Sequence, residues 1–373
     1  MARRDPHQPD FDQFLRSLLR RDEPSPVPIA EFLIDWPIIE AITGHTLPVP
    51  PGEGGLTQAT IHRAGEPDWV KRFVDAMLEF SLWIGMDYLY IELDTGLQLA
   101  EAKEVGGTEI EQERNWWYVS PTGRVANWED FERFPWPSRD DLDYSMLDYA
   151  CHVVPEGMKI MVQTLGLFEP LYCLMGLETL SFVLYDEPDL VNEFVSQVID
   201  LLMAQVEVAM QHEQVGGVWM GDDLGYNSGP FVSPSILREV IFPGYQQLID
   251  LTHRHGRVFF LHSCGNLRAI MEDLIRLGID AKHSFEDKIQ PVEEVYRQWG
   301  ERIALIGGVD MDILARGTQE QVCCRTREIL DVCGPDGGYA LGSGNSVTDY
   351  IPTANYLAML DVGRQWNKEH FGS

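Results

Sequence analysis

Lysine is nearly missing from this chain: six of 373 residues, so arginine supplies most of the 28 cations that face 59 aspartates and glutamates. The net charge of −31 repels phosphate backbones and anionic lipid, which argues against nucleic acid or a membrane surface as a partner. A solvated, solubilising acidic surface is the plain reading of that imbalance. Long apolar runs are missing too; no stretch approaches the roughly 18 uninterrupted apolar residues of a membrane span. Cysteine is sparse, with Cys151, Cys173, Cys264, Cys323, Cys324 and Cys333 scattered through a long chain, which does not read as a disulfide framework. The opening Met1-Ala2-Arg3-Arg4-Asp5-Pro6-His7 leads into no apolar segment, so no secretory leader is expected. Cytoplasmic residence with reduced thiols follows as an expectation.

What is present is enough apolar residue, 45%, to build a large core. After a polar, proline-punctuated start with a short helix near Phe11–Leu19, apolar β-rich runs alternate with stretches of helical period. Eight such runs can be read: Val27–Ile34, Asp87–Leu93, Lys159–Leu165, Gly217–Gly221, Arg257–Leu261, Ile279–Lys282, Arg302–Ile306 and Tyr339–Leu341. Helical patterns lie between them at Glu66–Trp83, Pro188–His212, Pro234–His255, Asn266–Leu277, Val292–Trp299 and Thr318–Val332. Eight strands without a glycine-rich phosphate turn after the first favour a single (β/α)8 TIM-type barrel over a doubly wound sheet. Residues 27–373 would form that domain behind an N-terminal extension of residues 1–26. The tryptophan-rich stretch from Gly96 to Pro155 reads as a long insertion after the second strand, with room for a small hairpin.

In such barrels chemistry gathers where strands end. Here those ends are polar: Asp35, Glu92 and Asp94, Gln163-Thr164, Gly221-Asp222-Asp223, His262-Ser263-Cys264, His283-Ser284-Phe285-Glu286, Asp310, and Ser343-Gly344-Asn345. Polar groups are costly at such places unless a cleft uses them. His262 and Cys264 form a His-x-Cys pair whose spacing lets both side chains point one way, and imidazole with thiolate suits zinc. Glu286, His283, Asp222 and Asp223 are candidates to complete a site. Asp222 and Asp223 could instead be acid/base groups or cap a helix. Asp94 could orient a basic group or shuttle a proton, or cap the next segment. Trp116 and Trp117 in the insertion could shelter a planar ligand or serve as lid or dimer packing.

Taken as a set, Gly221-Asp222-Asp223-Leu224-Gly225 with Ser233-Pro234, Leu261-His262-Ser263-Cys264-Gly265-Asn266, Gly307-Gly308-Val309-Asp310 and the late Gly344-Asn345 turn before Pro352 and Asn355 resemble the uroporphyrinogen decarboxylase superfamily. The resemblance implies a (β/α)8 barrel, frequent homodimers, and one of two chemistries. Cofactor-free decarboxylases use an aspartate after the second strand, which Asp94 matches. Their early Arg-Gln-Ala-Gly-Arg motif is absent, because the first run continues into Asp35-Trp36-Pro37, and their late Gly-His turn is Gly344-Asn345 here.

The corrinoid-linked methyltransferases of the same superfamily hold zinc with a His-x-Cys pair and a later cysteine. His262 and Cys264 match the pair, while the later cysteine falls on Asn345, so Glu286 or Asp223 would substitute, with Glu286 the expected third ligand. The resemblance therefore implies methyl transfer between a small substrate or thiol and a corrinoid-bearing partner protein. In that reading Asp94, Asp222 and Asp223 act on the substrate, and Trp116, Trp117, Gln163 and Asn345 bind it. A decarboxylase acting on uroporphyrinogen or a smaller acid is the alternative, and a non-catalytic ligand-binding barrel the third reading.

Overall fold

A computed structural model describes residues 7–21, 24–46, 68–97, 99 and 123–372. Trp116 and Trp117 lie outside the described residues.

Seven of the eight expected runs form strands of one parallel sheet: β1 Tyr88–Glu92, β2 Lys159–Leu165, β3 Val215–Gly221, β6 Val258–His262, β7 Ala281–His283, β8 Ala304–Ile306 and β9 Tyr339–Ala340. They are joined in that order into a half-barrel. β4 Gly225–Tyr226 and β5 Gly229–Pro230 stand apart as a two-stranded antiparallel hairpin. Because β4 and β5 leave the sheet, β3 pairs directly with β6.

The Val27–Ile34 run departs from expectation. It forms no ladder, only isolated parallel bridges from Ile29 to Leu341 and from Ile34 to Val347. Pro28 in its middle has no N–H to donate, although its carbonyl still accepts from the Leu341 amide at 2.8 Å. The segment's other side meets β1 through the Tyr88 hydroxyl, which accepts from the Glu31 amide and donates to the Glu31 carbonyl.

The helices follow the sequence patterns with local revisions. Pro234–His255 is not one helix: a turn at Pro234–Ile236 passes through a π turn at Leu237–Ile241 into Phe242–Arg254. Pro243 sits at the junction and cannot close an ordinary helical bond. The Asn266–Leu277 helix starts only at Met271, because the Asn266 side chain accepts the Arg268 amide in a competing local turn. The described part of the Gly96–Pro155 stretch carries helices at Trp128–Arg133 and Ser145–Val153 and one isolated antiparallel bridge, Asp94 to Asp143; residues 98 and 100–122, where the expected hairpin would fall, lie outside the described residues.

The N-terminal helix Phe11–Leu18 closes the sheet from below, with Phe14 5.5 Å from the Tyr88 ring and 6.4 Å from Phe260. Above these, Phe32 touches Tyr90, Trp219, His262 and His283. This aromatic column fills the inner face and leaves the polar strand ends at its upper edge. Among the described residues no helix is long and apolar enough to cross a membrane, and all six cysteines are free thiols.

Candidate active site

Register decides which polar ends meet. Gly221 at the end of β3 pairs with His262 at the end of β6, and His262 pairs with His283 at the end of β7. The residues just past Gly221 therefore run beside those just past His262. Asp223 accepts the Cys264 amide at 2.8 Å, and the Ser263 hydroxyl accepts the Leu224 amide, which locks the two turns together.

In that lock one nitrogen of His262, the sulfur of Cys264 and one oxygen of Asp223 all lie within 4.8 Å of one another. His262 Nε2 is 3.5 Å from Cys264 Sγ and 3.8 Å from Asp223 Oδ1. Ligands about 2.0–2.3 Å from a tetrahedral zinc are separated by about 3.3–3.8 Å, so both distances from His262 match the spacing such an ion requires. Nitrogen, thiolate and carboxylate are also a donor set zinc accepts, and the two anions would neutralise a dication. Glu286 lies outside that 4.8 Å set; it is half-buried and takes a side-chain hydrogen bond from Asn345. Asn345 Nδ2 also donates to Cys264 Sγ at 3.2 Å.

Burial governs the charges here. It pushes the Cys264 thiol well above its usual range, and the charge of Asp223 adds to the effect. It raises Asp223 and Glu286 as well. His262 is held well below its usual value by burial, then by His283 and Lys282. Lys282 is itself buried, donates to the Ser284 carbonyl, lies 4.1 Å over the Phe285 ring and is lowered to about 8. A thiol and neutral imidazoles are thus the resting state, and a bound cation would reverse the preference at sulfur.

The two adjacent aspartates have separate surroundings. Asp222 is fully buried and accepts the amides of Leu167, Phe168 and Glu169 and the Tyr245 hydroxyl, all between 2.6 and 2.9 Å. It caps the helix Phe168–Met175 after β2 from a neighbouring strand, with its pKa raised to about 6 by burial against those bonds. Gly166 makes this possible, since a Cβ there would sit 1.9 Å from the Asp222 carboxyl carbon. Asp94 lies two residues past β1 at the same edge and accepts the Gly96 amide at 2.8 Å in a local turn. Gln163 lies on the inner face, where its Oε1, Tyr90 Oη and Trp219 Nε1 are buried with no hydrogen-bond partner among the described residues.

Glu169 belongs to this group, although its sequence context reads only as an acid in the first turn of a helix. Its carboxyl is raised well above the usual range by burial, then by Asp223 and Asp222. An aromatic wall stands beside it: Phe231 of the hairpin segment packs 6.2 Å from Phe168 and 5.9 Å from Tyr172, and Tyr226 is exposed at its rim.

Three comparisons bear on this arrangement. The profile described as "Uroporphyrinogen decarboxylase (URO-D)" matches residues 121–366, more than half of the chain. A uroporphyrinogen decarboxylase from Anaeromyxobacter dehalogenans (strain 2CP-C) is 25% identical over 191 residues. That match covers 50% of this chain and 51% of the relative, so it spans about half the relative's length. A solved methyltransferase from Methanosarcina mazei superposes with a TM-score of 0.65 over 96% of this chain and 99% of its own, at 15% identity, a likeness of fold. Sheet order, the polar edge of the strands and the profile match agree, and the chain belongs to the uroporphyrinogen decarboxylase (URO-D) family.

Proposed function

We propose that this chain is a metal-dependent methyltransferase that moves a methyl group between a small substrate, or a thiol, and a corrinoid carried by a partner protein. The observation that carries the reading is the convergence of Asp223, His262 and Cys264. In this reading the three residues hold zinc, with Asp223 in place of the cysteine expected from the resemblance, and Glu286, hydrogen-bonded to Asn345, stays outside the cluster. Zinc bound there would act as a Lewis acid that favours the thiolate form of a substrate thiol or polarises a methyl-bearing heteroatom. Asn345 donates a hydrogen bond to Cys264 Sγ and so favours thiolate at that sulfur. Glu169, crowded by Asp222 and Asp223, holds a proton at the edge of the site. Gln163 on β2 and Asp94 just past β1 face the substrate, and the Phe168–Tyr172–Phe231 wall excludes water from one side. Segment 27–34, bridged to Leu341 and Val347 past β9 on one side and bonded to Tyr88 on the other, is read as the stave that closes an eight-stranded barrel around these groups.

The test is zinc-loaded protein given methylcobalamin and a panel of small thiols, with cobalt absorbance followed over time. Thiol-dependent demethylation that is lost in Cys264→Ala supports the reading; no demethylation with any thiol or methylated substrate, in protein shown to hold zinc, counts against it.

A second reading, cofactor-free decarboxylation, is favoured by the name of the relative that matches over half its length and by the position of Asp94 just past β1. Here Asp94 would bind the substrate and stabilise the protonated intermediate. Carbon dioxide release from uroporphyrinogen by metal-free protein, abolished in Asp94→Asn, would establish it.

A further inference from the structure

We propose that His283 is a positioning residue that fixes His262 in one tautomer, with the proton on Nδ1 and a bare lone pair on Nε2. Its use depends on the metal reading above, but its existence does not.

The argument is one of donors and acceptors. His283 Nε2 lies 3.1 Å from the Ser343 carbonyl oxygen, which can only accept and also takes the Gly308 amide at 3.2 Å. His283 Nε2 must therefore carry a hydrogen. A neutral ring with its proton on Nε2 has only a lone pair at Nδ1, and His283 is completely buried with a carbonyl and a second imidazole as its ring partners, a setting that holds no anion to balance an imidazolium, so it is neutral. His283 Nδ1 is 2.8 Å from His262 Nδ1, so His262 must donate there. The one remaining ring nitrogen of His262, Nε2, is left as an acceptor, and it is the atom that faces Cys264 Sγ and Asp223 Oδ1. Flipping the His283 ring would put carbon at both contacts, so the two distances together exclude that alternative.

The surroundings hold the relay in place. Phe32 stacks on His262 at 4.4 Å with the planes 9° apart, which fixes the ring's tilt. Gly307, at φ +82°, opens the end of β8, where a Cβ would come within 2.1 Å of the Ser343 oxygen and 2.9 Å of the His283 ring. Metal-bound histidines usually donate their second nitrogen to a carboxylate, carbonyl or water. Here a second imidazole takes that place and passes the bond to a backbone carbonyl.

The test is a nitrogen-15 histidine spectrum of the full chain at pH 7 before zinc is added, with His262→Gln used to assign the signal. The expected result is a protonated Nδ1 and an unprotonated Nε2 on His262; a protonated Nε2, or an average of the two tautomers, overturns the proposal. His283→Leu should release the tautomer and weaken zinc binding about 10- to 100-fold in competition with a chromophoric chelator. His283→Gln, whose carbonyl oxygen can accept from Nδ1, should restore most of that loss. A folded His283→Leu variant with wild-type affinity and an unchanged tautomer would also overturn it. Wild type with the stated tautomer but no zinc affinity would support the positioning role and sink the metal reading. Zinc affinity with the proton on Nε2 would do the reverse.

Discussion

The side-chain amide of Asn345 reaches the sulfur of Cys264 at 3.2 Å, from the position where the methyltransferase resemblance leads one to expect a cysteine ligand. The amide nitrogen cannot bind a metal, yet it stands where a ligand atom would. Asp223 supplies the third donor within the 4.8 Å cluster. Exchanging a thiolate for a carboxylate leaves the charge of the ligand set unchanged and makes it harder.

A direct consequence concerns Asn345→Cys. The new thiolate should enter the cluster, tighten zinc binding by tenfold or more, about 1.4 kcal/mol, and make Asp223 dispensable. Competition titration of Asn345→Cys and of Asn345→Cys/Asp223→Asn checks both parts. Unchanged affinity in the single variant, or loss of zinc in the double, would speak against Asp223 and Asn345 occupying equivalent places.

Asp222 and Asp223 should separate cleanly on mutation. Asp222→Ala leaves three amides and the Tyr245 hydroxyl without their acceptor. Losing them should cost about 2–4 kcal/mol of stability and leave zinc content intact in the fraction that stays folded. Asp223→Asn should do the opposite. Thermal melts read alongside metal analysis distinguish the two; equal destabilisation with equal zinc loss would contradict the division.

Glu31 carries a pH signature. Its carboxyl is buried, accepts the Ser343 amide and hydroxyl, and is raised from 4.5 to about 8, chiefly by burial. Between those two values the folded chain keeps a proton that the unfolded chain has lost. This group's contribution to stability therefore falls as pH rises from about 4.5 to 8. Glu31→Gln cannot lose that proton, so the variant should gain on wild type toward alkaline pH, by on the order of a few kcal/mol at most. Melting temperatures from pH 5 to pH 8.5 give the comparison; parallel curves would refute it.

Legibility in the sequence followed the range of the interactions. β2 could be bounded to the residue, because Lys159–Leu165 is a β-rich run set between the turn signals Pro155-Glu156-Gly157 and Gly166. Val27–Ile34 carries a similar signal but forms only bridges, because what it pairs with and where Pro28 falls are matters of tertiary context. His262 and Cys264 could be paired from their two-residue spacing alone. Choosing Asp223 over Glu286 as their nearest partner needed the β3–β6 register, which no single segment encodes. Asp222 could be read as a cap but not as the cap of a helix 53–55 residues earlier. Glu169 was invisible for the same reason: only the sheet order brings its helix beside the two aspartates.

The central claim is that Asp223, His262 and Cys264 form a metal site. It is tested most directly by the zinc content of protein purified without chelator or affinity metal and then dialysed against zinc. The account predicts one zinc per chain, lost in both Asp223→Asn and Cys264→Ala while each variant stays folded. Wild-type protein that takes up no zinc, or a Cys264→Ala variant that keeps a full complement, would contradict it.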